Sequence, residues 1–244
     1  MVNLCLDIGN TRTKLGYFKD SVLIKVDTFM EDLSVNLIAE YAKQAPFDHM
    51  IISSVRILNQ EILKELSKSY SVIVVNTNMT LPIKIAYETP ETLGIDRICG
   101  AIGAQFLFPN QPTLSIDAGT CITYDFVDQN GIYHGGAISP GIQMRLDAMH
   151  KFTGKLPQQN FSAIPVTIGT TTASSMQLGV GKAAVFEIEG FIRHFSQAHQ
   201  GLKVILTGGN TGYFEQQIEN TIFAAQNLVL IGLDRIVAYT MKNE

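Results

Sequence analysis

Two short stretches of the chain combine a carboxylate with glycine and hydroxyl residues at the end of a strand-like run. The first follows Val2–Leu6 and reads Asp7-Ile8-Gly9-Asn10-Thr11-Arg12-Thr13-Lys14. The second follows residues 113–116 and reads Asp117-Ala118-Gly119-Thr120. Apolar runs divided by a small polar turn predict a β-hairpin at both places.

The composition of these turns suits a nucleotide tail. Glycine lets backbone N–H groups approach an anion, and Lys14 adds a positive charge within reach of a phosphate. Carboxylates repel phosphate unless a cation lies between them, and Mg²⁺ is commonly held by one or two carboxylates together with phosphate oxygens. We therefore interpret the two turns as a pair that grips a metal–phosphate chain. Because Asp, Gly, Asn and Thr are also ordinary turn residues, a structural role for the first hairpin stays open.

A third candidate is the pair Asp96-Arg97, which opens an apolar helical segment from Gly94 to Phe108. An Asp at a helix start is commonly a cap, and Arg97 would then be its ion-pair partner. In the functional alternative, Asp96 accepts a proton from a substrate hydroxyl and Arg97 binds a substrate carboxylate.

The elements that must position these residues follow an α/β pattern. Apolar residues at helical spacing predict helices at 34–45, 58–68 and 185–195, and apolar runs predict strands at 49–55, 71–76 and 203–209. Residues 228–242 are expected to form a strand or loop that leads into a helix. A breaker cluster at Pro109–Pro112 separates the two strand–Asp–Gly hairpins, which predicts domains at 1–112 and 113–244.

Composition limits the partners that we expect. A net charge of -4, without a basic stripe, argues against nucleic acid. No apolar run approaches the roughly 20 residues that span a membrane, and no signal peptide is recognisable, so we expect a cytoplasmic protein without a membrane partner. Cys5, Cys99 and Cys121 form no C-x-x-C pair and are expected to be buried free thiols in a reducing compartment.

Taken in order, these motifs resemble type III pantothenate kinase. The resemblance runs nearly the whole length of the chain, and Cys121 stands where that family often has alanine. It rests on Asp7–Thr11 with Lys14, Gly94–Arg97, Asp117–Thr120 with Thr123, Gly135–Gly141, Gly169–Thr172 with Gly179, and Thr207–Gly209.

The resemblance implies a fold and a reaction. The fold is the α/β actin-like ATPase fold, in which two ribonuclease-H-like lobes of mixed sheet with flanking helices enclose a nucleotide cleft. The reaction transfers the γ-phosphoryl group of ATP to the hydroxyl of pantothenate and gives 4'-phosphopantothenate, the first step of coenzyme A biosynthesis. The family requires Mg²⁺ with ATP and a monovalent cation, K⁺ or NH₄⁺, and it is a homodimer.

The resemblance also implies roles for individual residues. Asp96 would be the general base, and Asp117 would bind the monovalent cation. ATP would be bound by Asp7, Ile8, Gly9, Asn10, Thr11, Arg12, Thr13, Lys14 and Thr120. Pantothenate would be bound by Tyr87, Gly94, Ile95, Asp96, Arg97 and Thr172.

Two other functions stay open at the level of sequence. Another phosphotransferase or phosphatase of the same superfamily, such as a sugar kinase or an exopolyphosphatase, would share the fold, because fold alone does not determine the substrate. A nucleotide-binding regulator without catalytic activity is the second alternative. Against it, a regulator could have lost Asp96 or Lys14, and both are present.

Overall fold

The structure of the protein is a computed structural model that describes residues 1–30 and 32–243. The strands are β1 (Val2–Ile8), β2 (Thr13–Lys19), β3 (Val22–Phe29), β4 (His49–Ser54), β5 (Ser71–Val74), β6 (Lys84–Ile85), β7 (Thr113–Ala118), β8 (Cys121–Val127), β9 (Ile132–Pro140), β10 (Lys203–Thr207) and β11 (Phe223–Ala224). The α-helices are α1 (Val35–Gln44), α2 (Gln60–Ser69), α3 (Ile95–Leu107), α4 (Ile142–Phe152), α5 (Thr172–Ala198), α6 (Thr211–Glu215) and α7 (Leu228–Asn243).

The elements expected from the sequence are mostly confirmed. The two hairpins form as β1–β2 and β7–β8, and α1, α2 and α3 lie where helical spacing predicts them. The helix expected at 185–195 is only part of the much longer α5. The strand or loop expected from residue 228 is wrong, because α7 is helical from Leu228. The consecutive apolar residues at its start are buried, and such a run has no period that separates a strand from a buried helix.

Contacts between residues group the chain into two compact units. The first unit comprises Met1–Asn110, Val127–His134 and Asn227–Glu244. The second unit comprises Gln111–Phe126 and Gly135–Gln226. The domain division after residue 112 stays a prediction, whereas the contacts group α7 with the N-terminal half of the chain.

The main sheet of the first unit has the strand order β3-β2-β1-β4-β5. β1 is central, antiparallel to β2 and parallel to β4. Leu4, Leu6 and Ile8 pack with residues of α1 and α2, whereas Cys5 packs with residues of α3 and α7. Because side chains alternate along a strand, Asp7 points to the same face as Cys5, which is the face that α3 covers.

Helices α3 and α7 cross with their backbones in direct contact. A Cβ atom at Gly232 would lie 1.8 Å from the carbonyl oxygen of Cys99, and one at Gly103 would lie 2.4 Å from the carbonyl oxygen of Leu228. Glycine is therefore required at both crossing points. The contact fixes the position of α3, and with it that of Asp96 in its first turn.

The strands of the second unit follow the order β11-β10-β7-β8-β9. β10 runs parallel to β7 and to β11. Helix α5 covers this sheet with a stripe of buried residues at four-residue spacing, Val180, Ala184, Ile188 and Ile192, which pack in one core with Ile116 of β7. The stripe explains why so long a helix is stable, since burial of an amphipathic face supplies most helical stability.

Among the described residues, no helix has both the length and the apolar character needed to cross a membrane.

The helix crossing gives a test of the fold. We expect Gly232→Ala to lower the free energy of unfolding by about 3 kcal/mol, because the new methyl group can be accommodated only if the helices separate. Urea unfolding measures the effect.

Gly100→Ala in α3 is the matched control. Its Cβ would meet none of the described atoms within 4 Å, so the higher helix propensity of alanine should leave stability unchanged or raise it by up to about 1 kcal/mol. Equal unfolding midpoints for the two variants would contradict the close crossing.

Candidate active site

The β1–β2 hairpin places the predicted phosphate-binding residues on one turn. The turn between the strands is closed by a hydrogen bond from the Gly9 N–H to the Arg12 carbonyl oxygen at 3.1 Å. Residues 10–12 are exposed at its tip. Asp7 and Lys14 are directly opposite each other in the strand register, so a carboxylate and an ammonium group share one face.

Helix α3 supplies the second group of predicted residues. Gly94 is the N-cap, and Asp96 and Arg97 belong to the first turn. The Arg97 N–H donates to Oδ1 of Asp96 at 2.9 Å, and the Arg97 side chain is buried. A Cβ atom on Gly94 would lie 2.6 Å from Oδ1 of Asp96, so glycine leaves the space that this carboxylate occupies. Gly94 occupies the N-cap position without a side-chain cap bond, and the Asp96 carboxylate instead accepts one N–H of the first turn, which is part of the capping role considered for it.

The charges of Asp7 and Asp96 both act on the buried thiol of Cys99. Burial raises the pKa of Cys99 well above its ordinary value, and the negative charges of Asp7 and Asp96 raise it further. The Ser53 side chain acts on this pKa in the opposite direction. Ser53 is the register partner of Asp7 on β4, so its hydroxyl and the Asp7 carboxylate lie on neighbouring strands of the first unit.

Ser53 and Cys99 were not predicted as parts of the site. A signal for Ser53 was present, because it ends a parallel strand beside Asp7, and polar groups at the carboxyl ends of parallel strands often form sites.

Arg56 was missed as well. Its Nη2 lies 3.4 Å from Oγ1 of Thr13 and its Nη1 donates to Asp32 at 2.9 Å, which brings a further cation to the first hairpin.

Tyr87 also lies in the first unit. It follows β6, and its ring centre is 6.2 Å from that of Tyr133, which pairs through its backbone with Ile85. A short 3₁₀ turn, Pro90–Thr92, connects this segment to Gly94. The first unit thus carries Asp7–Lys14, Tyr87 and Gly94–Arg97.

The second unit carries Asp117 and Thr120 on the β7–β8 turn, which is closed by a bond from the Gly119 N–H to the Cys121 carbonyl oxygen at 2.9 Å. The carboxylate of Asp117 lies between two glycines. A Cβ atom on Gly208 would be 2.4 Å from its Oδ1, and one on Gly119 would be 3.2 Å away. Gly208 also has a φ of +96°, a conformation that only glycine adopts without strain.

Neighbouring loops brace this turn. The backbone N–H of Asn210 donates to the carbonyl oxygen of Ala118 at 3.0 Å, and its side-chain amide donates to the same oxygen at 3.2 Å. The N–H of Gly141 donates to the carbonyl oxygen of Thr120 at 3.1 Å. Asn210 was not predicted as a site residue, although it directly follows the Thr207–Gly209 stretch.

Thr172 lies on a different element of the second unit. It is the first residue of α5, where Thr171 is the N-cap and forms a capping box with Ser174. A Cβ atom on Gly169 would lie 2.5 Å from the Cα atom of Ser175, so the chain before the helix folds closely onto its first turn.

The carboxylates offer oxygen ligands, but the described residues contain no cluster of three or more His, Cys, Asp or Glu that could hold a metal on protein ligands alone. A Mg²⁺ ion that shares its coordination with phosphate oxygens and water needs only one or two carboxylates. Asp7, partly exposed beside the hairpin tip, fits that requirement.

Comparison with known sequences identifies the family. A profile of the type III pantothenate kinases matches residues 3–194. A type III pantothenate kinase of Bacteroides fragilis is 39% identical over 239 residues, which cover 98% of each chain. That of Cytophaga hutchinsonii is 39% identical over 98% of this chain and 100% of the relative. The chain belongs to the type III pantothenate kinase family.

Solved structures show that this pantothenate kinase family member has the actin-like ATPase fold expected from the sequence. A Campylobacter jejuni protein described as a Baf family transcriptional activator has a TM-score of 0.61 and 21% identity, covering 98% of this chain and 99% of its own. An activator of 2-hydroxyisocaproyl-CoA dehydratase from Clostridium difficile, solved with bound ADPNP, has a TM-score of 0.54 and 13% identity, covering 99% and 98%. At these identities the likeness concerns the fold alone.

The burial of Asp96 gives a pH-dependent prediction. Burial raises the pKa of Asp96 in the folded chain above the value of 3.8 that applies to the unfolded chain. At a pH between these two pKa values, Asp96 is protonated in the folded chain and ionised in the unfolded chain. The free energy of unfolding therefore falls as the pH rises through this range. At neutral pH the folded chain bears the whole destabilisation that comes from a buried, ionised Asp96. We expect Asp96→Asn to raise the Tm at neutral pH, and the gain to shrink as the pH approaches 3.8.

Asp128→Asn is the contrasting control. Burial acts to raise the pKa of Asp128, but hydrogen bonds from His134, Ile132 and Asn130 outweigh it and hold the pKa below its ordinary value. This substitution should therefore lower the Tm at neutral pH. Thermal unfolding across the pH range measures both effects, and a lower Tm for Asp96→Asn at neutral pH would contradict the burial of a costly charge.

Proposed function

We propose that Asp96 is the general base of the pantothenate kinase reaction, in which this chain transfers the γ-phosphoryl group of ATP to the hydroxyl of pantothenate, the first step of coenzyme A biosynthesis. The observation that carries the proposal is that Asp96 lies in the first turn of α3, the helix that covers the face of β1 from which Asp7 projects. This placement brings a candidate base into the same part of the first unit as the phosphate-type hairpin. The raised pKa of Asp96 makes its carboxylate a better proton acceptor than an exposed one.

The hairpin is proposed to bind the ATP phosphates. Phosphoryl transfer passes through a loose transition state, so the protein mainly positions the reactants and stabilises charge. Lys14 and the N–H groups at the turn would neutralise phosphate oxygens. Asp7 would hold Mg²⁺, which when bound supplies further neutralisation of the phosphate charge. Thr120 of the second unit is proposed as a further ATP-binding residue.

Pantothenate binding is proposed for Tyr87, Gly94–Arg97 and Thr172. The buried guanidinium of Arg97 supports this assignment, because its planar donor fork matches a substrate carboxylate. Asp96, adjacent in sequence, would then face the substrate hydroxyl and accept its proton as the bond to phosphorus forms.

Asp117 is proposed to bind a monovalent cation, K⁺ or NH₄⁺. Its carboxylate is held in a narrow space between Gly119 and Gly208, and backbone carbonyl oxygens of the same turn are proposed as further ligands. Such oxygens are the groups that replace the hydration shell of potassium in proteins.

A homodimer and a cytoplasmic location complete the proposal. Three large apolar side chains of the second unit support self-association, since Phe152, Ile168 and Phe186 are 78%, 74% and 67% exposed. The three free cysteines support a reducing compartment.

The central test is ADP release by the purified protein with ATP, Mg²⁺ and K⁺, with and without pantothenate. We expect release to require pantothenate. We expect Asp96→Asn to lower kcat by about 100-fold or more, the usual contribution of a general base, with little change in ATP binding.

Asp20→Asn is the matched control. Asp20 is exposed, pairs with the N-terminal amine, and has a φ of 49°, which asparagine tolerates. Its kcat should equal that of the wild type. Near-normal turnover by Asp96→Asn would remove Asp96 as the base, and ADP release that is indifferent to pantothenate would favour another phosphotransferase.

The cation assignment has a separate test. We expect Asp117→Asn to raise the K⁺ concentration for half-maximal rate by about tenfold, because an ionised ligand is replaced by a neutral one. Rates are measured at constant ionic strength with Na⁺ as the replacement ion. Equal wild-type rates in sodium-only and potassium buffers would rule out this role for Asp117.

A further inference from the structure

A charged network in the second unit lies outside the groups assigned so far. Its centre is Glu187 of α5. The hydroxyl of Tyr124 donates to Oε1 of Glu187 at 2.9 Å, and the hydroxyl of Ser139 donates to the same oxygen. Nη2 of Arg145 donates to Oε2 at 2.5 Å. One carboxylate thereby joins α5, β8, the end of β9 and α4.

Arg145 also binds the chain just before its own helix. Its Nε donates to the carbonyl oxygen of Pro140 at 2.8 Å, and its Nη2 lies 3.4 Å from Oγ of Ser139. The guanidinium therefore clamps the corner at which β9 ends and α4 begins. Because the guanidinium group is planar and rigid, its hydrogen bonds fix the orientation of this corner as well as its distance from Arg145.

The clamped corner supports the β7–β8 turn directly. Gly141, the next residue after Pro140, donates its N–H to the carbonyl oxygen of Thr120 at 3.1 Å. A Cβ atom on Gly141 would lie 2.3 Å from that oxygen and 2.5 Å from the carbonyl oxygen of Gly119. With so little free space, a displacement of the corner must displace the turn.

Glu187 and Arg145 form an ion pair at the centre of the network. Burial acts to raise the pKa of Glu187, but hydrogen bonds from Ser139, Arg145 and Tyr124 outweigh it and hold the pKa below its ordinary value. Arg145 and Glu187 are 18% and 25% exposed, so solvent screens the pair only in part. Partly buried ion pairs contribute little net stability compared with apolar packing, yet their directional geometry can specify one arrangement.

We propose that Arg145 and Glu187 are positioning residues that hold the Asp117–Thr120 turn in the geometry needed for nucleotide and monovalent cation. Neither residue is among those proposed to contact ATP, pantothenate or the cation. They act through the Pro140–Gly141 corner. The inference rests on the proposed function to the extent that this turn binds nucleotide.

Glu187→Gln tests the inference. The substitution removes the charge and replaces one of the two acceptor oxygens with an amide donor, while the size of the side chain is kept. We expect the Kd for Mg·ATP, measured by calorimetry without pantothenate, to rise about tenfold, in line with loss of one charge-assisted hydrogen bond. The K⁺ concentration for half-maximal rate should rise with it, while the KM for pantothenate stays unchanged.

Glu189→Gln is the matched control on the same helix. Glu189 accepts a hydrogen bond from the backbone N–H of Glu219 at 3.1 Å, outside the network, and a glutamine oxygen can take its place. Nucleotide affinity should stay at the wild-type value. Arg145→Gln should reproduce the effect of Glu187→Gln, and the double variant should add little, because the two residues act as one unit.

The outcomes separate the inference from the function on which it rests. A lower Tm for Glu187→Gln with an unchanged Kd for Mg·ATP would reduce the network to a structural role and overturn the inference alone. A wild-type chain that binds Mg·ATP but ignores pantothenate would overturn the proposed substrate and leave this test intact. A wild-type chain that binds no nucleotide would overturn both.

Discussion

Direct backbone contact at glycine is the constraint on which the candidate site depends. In the first unit, Gly232 lets α7 rest on the Cys99 carbonyl and so fixes the helix that carries Asp96. In the second unit, Gly208 and Gly141 press against the Asp117–Thr120 turn. Side chains can adopt other rotamers, whereas a backbone held at van der Waals distance has few alternatives. The positions of the Asp96 and Asp117 carboxylates thus depend on direct contacts between backbones, which leave little room for movement.

Three carboxylates of the described residues differ in what their charge does to the stability of the fold. Asp128 and Glu187 receive enough hydrogen bonds to hold their pKa values low, so their charges favour the folded state. Asp96 receives the Arg97 N–H and the field of its guanidinium, yet burial still raises its pKa. The buried charge of Asp96 destabilises the fold, yet the chain has this residue in the first turn of a well-packed helix. This is the pattern expected of a functional group, because perturbed pKa values cluster at active sites.

The sequence was sufficient for features that depend on local order. The two hairpins, the Asp7–Lys14 turn and helix α3 follow from apolar periodicity and turn chemistry. It was insufficient where residues distant in the chain meet. Ser53 joins Asp7 through strand register, Asn210 reaches Ala118 across 92 positions, and Glu187 meets Tyr124 across 63. Contacts between distant residues produce no repeating pattern of residue types in the sequence. For the same reason, the grouping of α7 with the N-terminal half of the chain was not predicted.

The repeated hairpins also show how one motif takes two chemical forms. Asp7 is directly opposite Lys14, so its carboxylate belongs to a turn with its own positive charge and an exposed polar tip. Asp117 has Thr207 as its parallel neighbour and glycines on both sides, which gives a confined setting. A turn with a built-in cation suits a highly charged metal–phosphate group, whereas a confined carboxylate suits a single small cation. Duplication of the strand–Asp–Gly pattern therefore need not duplicate the ligand, because the neighbouring strand and loop determine what each carboxylate can hold.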